Sequence, residues 1–207
     1  MNTFLQLGDS YTIGEGVDDA GRWGNQLAHA LRKEGVAITD PHFVATTGWT
    51  SGELIARLDA LEPLGNAWGL VSLLIGVNNQ YRGLPVETYA NEFDILLDRA
   101  VAFAQGDADR VLVMSIPDWG VTPFARSQGR VEAEVARDID AYNAIARERC
   151  ESLAVRYVDI TPVSRRYGGE VEMLVADALH PSAAMYGLWA AQALPVVRQM
   201  PWVDSVA

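Results

Sequence analysis

The chain has 207 residues, 49% apolar and 21% charged, which is enough to bury a full core in one domain spanning residues 1–207 and too apolar for wholesale disorder. A formal net charge of −11 excludes a polyanion-binding role, because phosphate contacts need a basic footprint, and it disfavours an anionic membrane surface. The one cysteine, Cys150, can form neither an internal disulfide nor a zinc site.

Met1 to Leu7 has no basic region and its apolar stretch is short, so it does not read as a signal peptide; no run of about 18 apolar residues exists to span a bilayer. With Met1 as the start, the expected compartment is the cytoplasm. Phe4 to Leu7 reads as a buried strand stopped by Gly8. Residues 22–34 follow as a helix, with Trp23, Leu27, Ala30 and Leu31 on one face and Gly35 as its stop. Phe43 to Ala45 is a second strand. Thr50 and Glu53 have capping-box spacing, and Leu54, Ile55, Leu58 and Leu61 continue as a helical stripe. Leu70 to Ile75 is a third strand, wholly apolar but for Ser72. A helix is expected over about Val86–Phe103, a fourth strand over Val111–Ser115, and a helix over 131–152 with Val135, Ile139, Tyr142 and Ile145 inward. Val155–Val158 is the fifth strand, and Ala183 to about Val197 is the last helix.

Apolar strands alternating with helices predict a three-layer α/β/α fold around a five-stranded parallel sheet covered on both faces. In such sheets ligands bind beyond the carboxyl ends of the strands. Four clusters lie there: Gly8-Asp9-Ser10-Tyr11, Thr47-Gly48-Trp49, Gly76-Val77-Asn78-Asn79, and, beyond the fifth strand, Asp177-Ala178-Leu179-His180-Pro181. They supply a hydroxyl, a glycine amide, a side-chain amide and a carboxylate with an imidazole, which are the parts of acyl transfer. Ser10 is the expected nucleophile, His180 its base and Asp177 the group that holds the second ring nitrogen. The Ser10 and Gly48 backbone N–H groups and the Asn78 amide are candidate oxyanion donors, with Asn79 as the alternative to Asn78.

These four blocks, in this order over residues 7–187, resemble the SGNH (GDSL) hydrolase superfamily. The resemblance implies a flavodoxin-like sheet and carboxylic ester hydrolysis without a cofactor. Tyr11 replaces the leucine of the family's older name, and Asn79 stands where many members carry aspartate.

Rival assignments compete at several positions. Ser51 sits in Gly48-Trp49-Thr50-Ser51-Gly52, which misses the Gly-x-Ser-x-Gly of a nucleophile elbow and fits a helix start better. Asp159, after the fifth strand, rivals Asp177. His29 and His42 lie away from the strand ends. Asp9, Glu15, Asp18 and Asp19 read as a solvated acidic loop rather than a metal site. The Gly8–Gly16 loop lacks the lysine of a phosphate-binding loop, which weakens a nucleotide-binding reading.

Tyr11, Trp49, Tyr81, Trp119, Phe124 and Tyr186 place aromatic rings near the active edge; Tyr11, Trp49, Asn79, Tyr81 and Trp119 are the expected substrate contacts. Residues 116–129 form the expected substrate-shaping lid or wall. The expected substrate is a small-molecule ester with a short acyl group, an acetylated carbohydrate ahead of a lysophospholipid or thioester; a non-catalytic binding module of the same fold is the further alternative. Oligomeric state is not legible.

Overall fold

The first strand, β1 (Asn2–Gly8), is buried from Phe4 onward, so it must be covered on both faces. A short helix, α1 (Ser10–Ile13), follows, then α2 (Trp23–Lys33), the strand β2 (Ile38–Ala45) and α3 (Ser51–Ala60). Next come β3 (Leu70–Leu74), α4 (Val77–Tyr81), α5 (Val86–Phe103), β4 (Val111–Met114), α6 (Pro123–Ser127) and α7 (Glu132–Ser152). The strand β5 (Arg156–Val158), α8 (Thr161–Tyr167) and α9 (Ala183–Arg198) complete the order. This is a computed structural model, and it describes residues 1–61 and 64–203.

The five strands form one parallel sheet in the order β2-β1-β3-β4-β5. The chain starts in the middle, builds one edge, and returns past its own start to build the other. Helices α2 and α9 pack together on one face, and α3, α5 and α7 cover the other. The three central strands are buried and largely apolar. Within them Gln6 and Ser72 are register neighbours, and Gln6 Nε2 donates to Ser72 Oγ at 3.1 Å, while the buried Gln6 Oε1 has no hydrogen-bond partner. Cys150 is buried in α7, and burial pushes its thiol up to about 12, the behaviour of an inert core residue.

The expected elements all occur, with one boundary well off. The second strand begins at Ile38, five residues before the expected Phe43, and holds Pro41 and His42. Proline is tolerated there because β2 is an edge strand, and His42 stacks on Trp68 at 5.6 Å. His29 lies exposed on α2. Four helices of seven residues or fewer, α1, α4, α6 and α8, were not expected. Among the described residues no helix is long and apolar enough to cross a membrane.

Candidate active site

Ser10 owes its position to a tight exit from β1. Asp9 caps α1: its Oδ1 accepts the Tyr11 N–H at 3.0 Å, and Ser10 becomes the first helical residue. As a first-turn residue its N–H has no partner within the helix. Gly8 makes the exit possible, since a Cβ there would lie 2.2 Å from the Leu74 carbonyl oxygen and 2.0 Å from Thr12 Oγ1. Asp9 is fully buried, and its Oδ2 has no hydrogen-bond partner. Burial pushes its carboxyl up to about 7 against the opposing effect of the Tyr11 N–H.

His180 reaches Ser10 from the segment between α8 and α9. Its Nε2 lies 2.9 Å from Ser10 Oγ, and its Nδ1 lies 2.6 Å from Asp177 Oδ2. The Asp177 carboxylate also folds its own loop: Oδ1 accepts the N–H groups of Leu179 and His180 at 2.8 and 2.9 Å. That turn places Ala178 at φ +60°, a conformation an alanine adopts only when its surroundings hold it there. Burial raises the Asp177 carboxyl, but the hydrogen bonds from the His180 ring and from the two N–H groups, with the His180 charge, outweigh it and hold the group below its ordinary value. Asp159 is committed elsewhere, accepting from Ser115 and pairing with Arg147 at 2.7 Å.

Beside Ser10 and His180 opens a cleft of about 200 Å³. Thr47, Gly48 and Asn78 form one side of it; Val77, Tyr81, Trp119, Phe124 and Leu179 form an apolar wall. Gly48 sits in the turn after β2 at φ +85°. Asn78 stands on α4 and gives one amide hydrogen to the Trp49 carbonyl at 2.9 Å, which leaves the second hydrogen for another acceptor. Tyr11 borders the cleft while only 3% exposed; its ring centroid is 5.6 Å from that of His180.

Other expected contacts lie apart from the cleft. Asn79 is fully buried, accepting from the Ser51 N–H at 2.9 Å and donating to Ser51 Oγ at 2.7 Å. Trp49 packs against the core rather than lining the cleft, and Tyr186 is buried in α9. Ser51 bonds Glu92 and Asn79 with no histidine among its partners. Residues 116–122 are buried throughout. Asp118 pairs with Arg165 at 2.8 Å, Trp119 Nε1 donates to Gln80 at 2.8 Å, and Phe124 N–H donates to the Ala178 carbonyl at 3.1 Å. Residues 116–122 and Phe124 are thus packed in place, while residues 126–129 are exposed. Thr47, Val77 and Leu179 escaped sequence reasoning as cleft residues. Val77 and Leu179 lie inside the chemical motifs, but apolar side chains carry no chemical signal. Among the described residues no three His, Cys, Asp or Glu side chains converge as metal ligands.

A profile of the GDSL-like lipase/acylhydrolase family matches residues 7–188. Among curated proteins no sequence match is found. Similar solved structures include a lipase/acylhydrolase from Enterococcus faecalis, with TM-score 0.74 and 20% identity over 96% of each chain. The psychrotrophic esterase EstA from Pseudoalteromonas sp., in a structure inhibited by monoethylphosphonate, gives TM-score 0.73 and 20% identity over 99% of this chain and 100% of that one. Axe2, an acetylxylan esterase from Geobacillus stearothermophilus, gives 0.73 and 19% over 99% and 97%.

Proposed function

The chain belongs to the GDSL-like lipase/acylhydrolase family, and from that premise we propose that it is a serine hydrolase that cleaves short carboxylic esters through an acyl-enzyme on Ser10. The observation that carries this reading is the hydrogen-bonded series Ser10 Oγ, His180 Nε2, His180 Nδ1, Asp177 Oδ2, with links of 2.9 and 2.6 Å. A serine hydroxyl attacks an ester only when a base takes its proton. His180 takes that proton as the Ser10 Oγ–carbon bond forms. Asp177, ionised because its carboxyl is held low, keeps the Nδ1 hydrogen in place and stabilises the imidazolium. The carbonyl oxygen becomes an oxyanion, for which the Ser10 and Gly48 N–H groups and the remaining Asn78 amide hydrogen are the donors. Collapse expels the alkoxide, which leaves as the alcohol with the proton from His180. Water, deprotonated by His180, then attacks the acyl carbon and releases the carboxylic acid and Ser10.

The size of the cleft supports a small acyl group, since about 200 Å³ has no room for a long chain to be enclosed. The aromatic wall of Tyr81, Trp119 and Phe124 suits stacking on a sugar ring, and the likeness to a structure named as an acetylxylan esterase agrees with an acetylated carbohydrate as substrate class.

Hydrolysis of p-nitrophenyl esters from acetate to long chains tests the reading, with Ser10→Ala and Ser51→Ala in parallel. We expect turnover confined to short chains, a loss of more than about 10,000-fold in Ser10→Ala, and little change in kcat for Ser51→Ala. A fluorophosphonate probe is expected to label all but the Ser10 variant. Labelling that survives there would overturn the assignment of the nucleophile, and activity rising with chain length would overturn the short-acyl assignment.

A further inference from the structure

Arg82 caps α4 at its carboxyl end, one helical turn beyond Asn78, whose carbonyl accepts the Arg82 N–H at 3.1 Å. Residues four apart on a helix share a face. Both side chains on this face reach the same turn, the one between β2 and α3. Asn78 donates to the Trp49 carbonyl, and the Arg82 guanidinium donates to the Gly48 carbonyl. The other arm of the guanidinium bonds the Glu53 carboxylate at 3.2 Å, and Glu53 is itself fixed by the capping box of α3.

The turn held in this way closes with the Trp49 N–H on the Thr46 carbonyl at 3.3 Å. Positive φ at Gly48 and not at Thr47 gives it the form of a type II turn. The peptide between the second and third residues of such a turn lies outside the closing hydrogen bond. Its N–H, that of Gly48, therefore remains available to a ligand. Its direction is soft, because types I and II differ by rotation of that one peptide and glycine accepts either sign of φ. Two side-chain contacts tie down the residues flanking it: the Thr47 hydroxyl on Glu15, and Arg82 on the Gly48 carbonyl. Arg82 does not itself line the cleft.

We propose that Arg82 is a positioning residue for ester hydrolysis: by gripping the Gly48 carbonyl from outside the cleft, it aims the Gly48 N–H at the oxyanion that forms on the substrate bound to Ser10. The inference rests on the reading of Ser10 and Gly48 given above. One short helix thus carries a donor, Asn78, and the clamp for a second donor, so both move with α4.

The test is steady-state hydrolysis of p-nitrophenyl acetate by wild type, Ser10→Ala, Arg82→Ala and Arg82→Lys, with a thermal melt of each. A misdirected donor acts on the transition state, so Arg82→Ala should lower kcat by roughly 10- to 100-fold, less than the loss of a donor outright, and leave KM within about threefold. A lysine ammonium can still reach a carbonyl as a single donor, so Arg82→Lys should recover most of the loss. Arg82→Ala with kcat within about twofold of wild type, or with its loss confined to KM, overturns the inference. So does a loss shared by Arg82→Lys and matched by a fall in melting temperature, which would mark the arginine as mere support. Wild type without turnover, or Ser10→Ala with undiminished turnover, overturns the parent reading as well, so the two failures are told apart.

Discussion

Asp9 precedes Ser10 and is closed off from solvent, with one carboxyl oxygen on a backbone N–H and the other unpaired. Its carboxyl titrates near 7 in the fold and at about 3.9 in an unfolded chain. The fold therefore binds the proton more tightly, and the stability this contributes is complete below about pH 4 and lost as pH rises to about 7. Asp9→Asn keeps an acceptor for the Tyr11 N–H and removes the buried charge. Its stability relative to wild type should rise between pH 4 and 7, by at most roughly 4 kcal/mol, and then level off. Urea melts at several pH values check this, and a difference independent of pH would refute it. Residues at this scale were legible where chemistry demanded a type: Ser10, Asp177 and His180 are the groups acyl transfer requires, and the structure brings them together. Asn78 and Asn79 were not separable in sequence. Two adjacent helical positions point about 100° apart, and only the packing of α4 decides that one faces the cleft while the other bonds Ser51.

The elements were legible in proportion to their length. Strands β1, β3 and β4 declare themselves by near-unbroken apolar runs, and α5 and α7 by period. Helices of four to seven residues are too short to show a period, and their stability comes from tertiary contacts. So α1 and α4, which present Ser10 and Asn78, could be located only as the segments following strands. The start of β2 was hidden by Asp40 and Pro41, residue types depleted in strands but tolerated on an edge. The junction of β1 and α1 has the least room. In Gly8→Ala the new methyl group meets the Leu74 carbonyl oxygen, a backbone atom of the neighbouring strand that cannot rotate away. We expect a loss of about 3 kcal/mol in stability and a fall in kcat exceeding that of Ser51→Ala, since Ser10 moves with the junction. Denaturant melts and acetate turnover on one preparation measure both; wild-type stability in Gly8→Ala would show that the strands part at little cost.

Across the whole molecule the charge of −11 sets a field that small substrates cross. An ester carrying a carboxylate on its acyl group should be repelled at low salt. Its kcat/KM should rise about two- to fivefold from 0.01 to 0.15 M salt, as the Debye length shrinks from about 30 to about 8 Å, while p-nitrophenyl acetate stays flat. A fall for the anionic ester would mean that two arginines outweigh the net charge locally: Arg82, and Arg130, whose guanidinium lies 5.4 Å from the Tyr81 ring centroid and 5.7 Å from that of Trp119. The sheet order β2-β1-β3-β4-β5 was not readable from the strands themselves, because nearly apolar runs do not identify their neighbours; alternation with helices gave only the parallel sense. That order, with Ser10 and His180 170 positions apart in sequence, has a consequence for pieces of the chain. Ser10 follows the first strand directly, and His180 comes only after the fifth. A fragment that ended before residue 177 would hold all five strands and still lack the carboxylate and the imidazole that face Ser10.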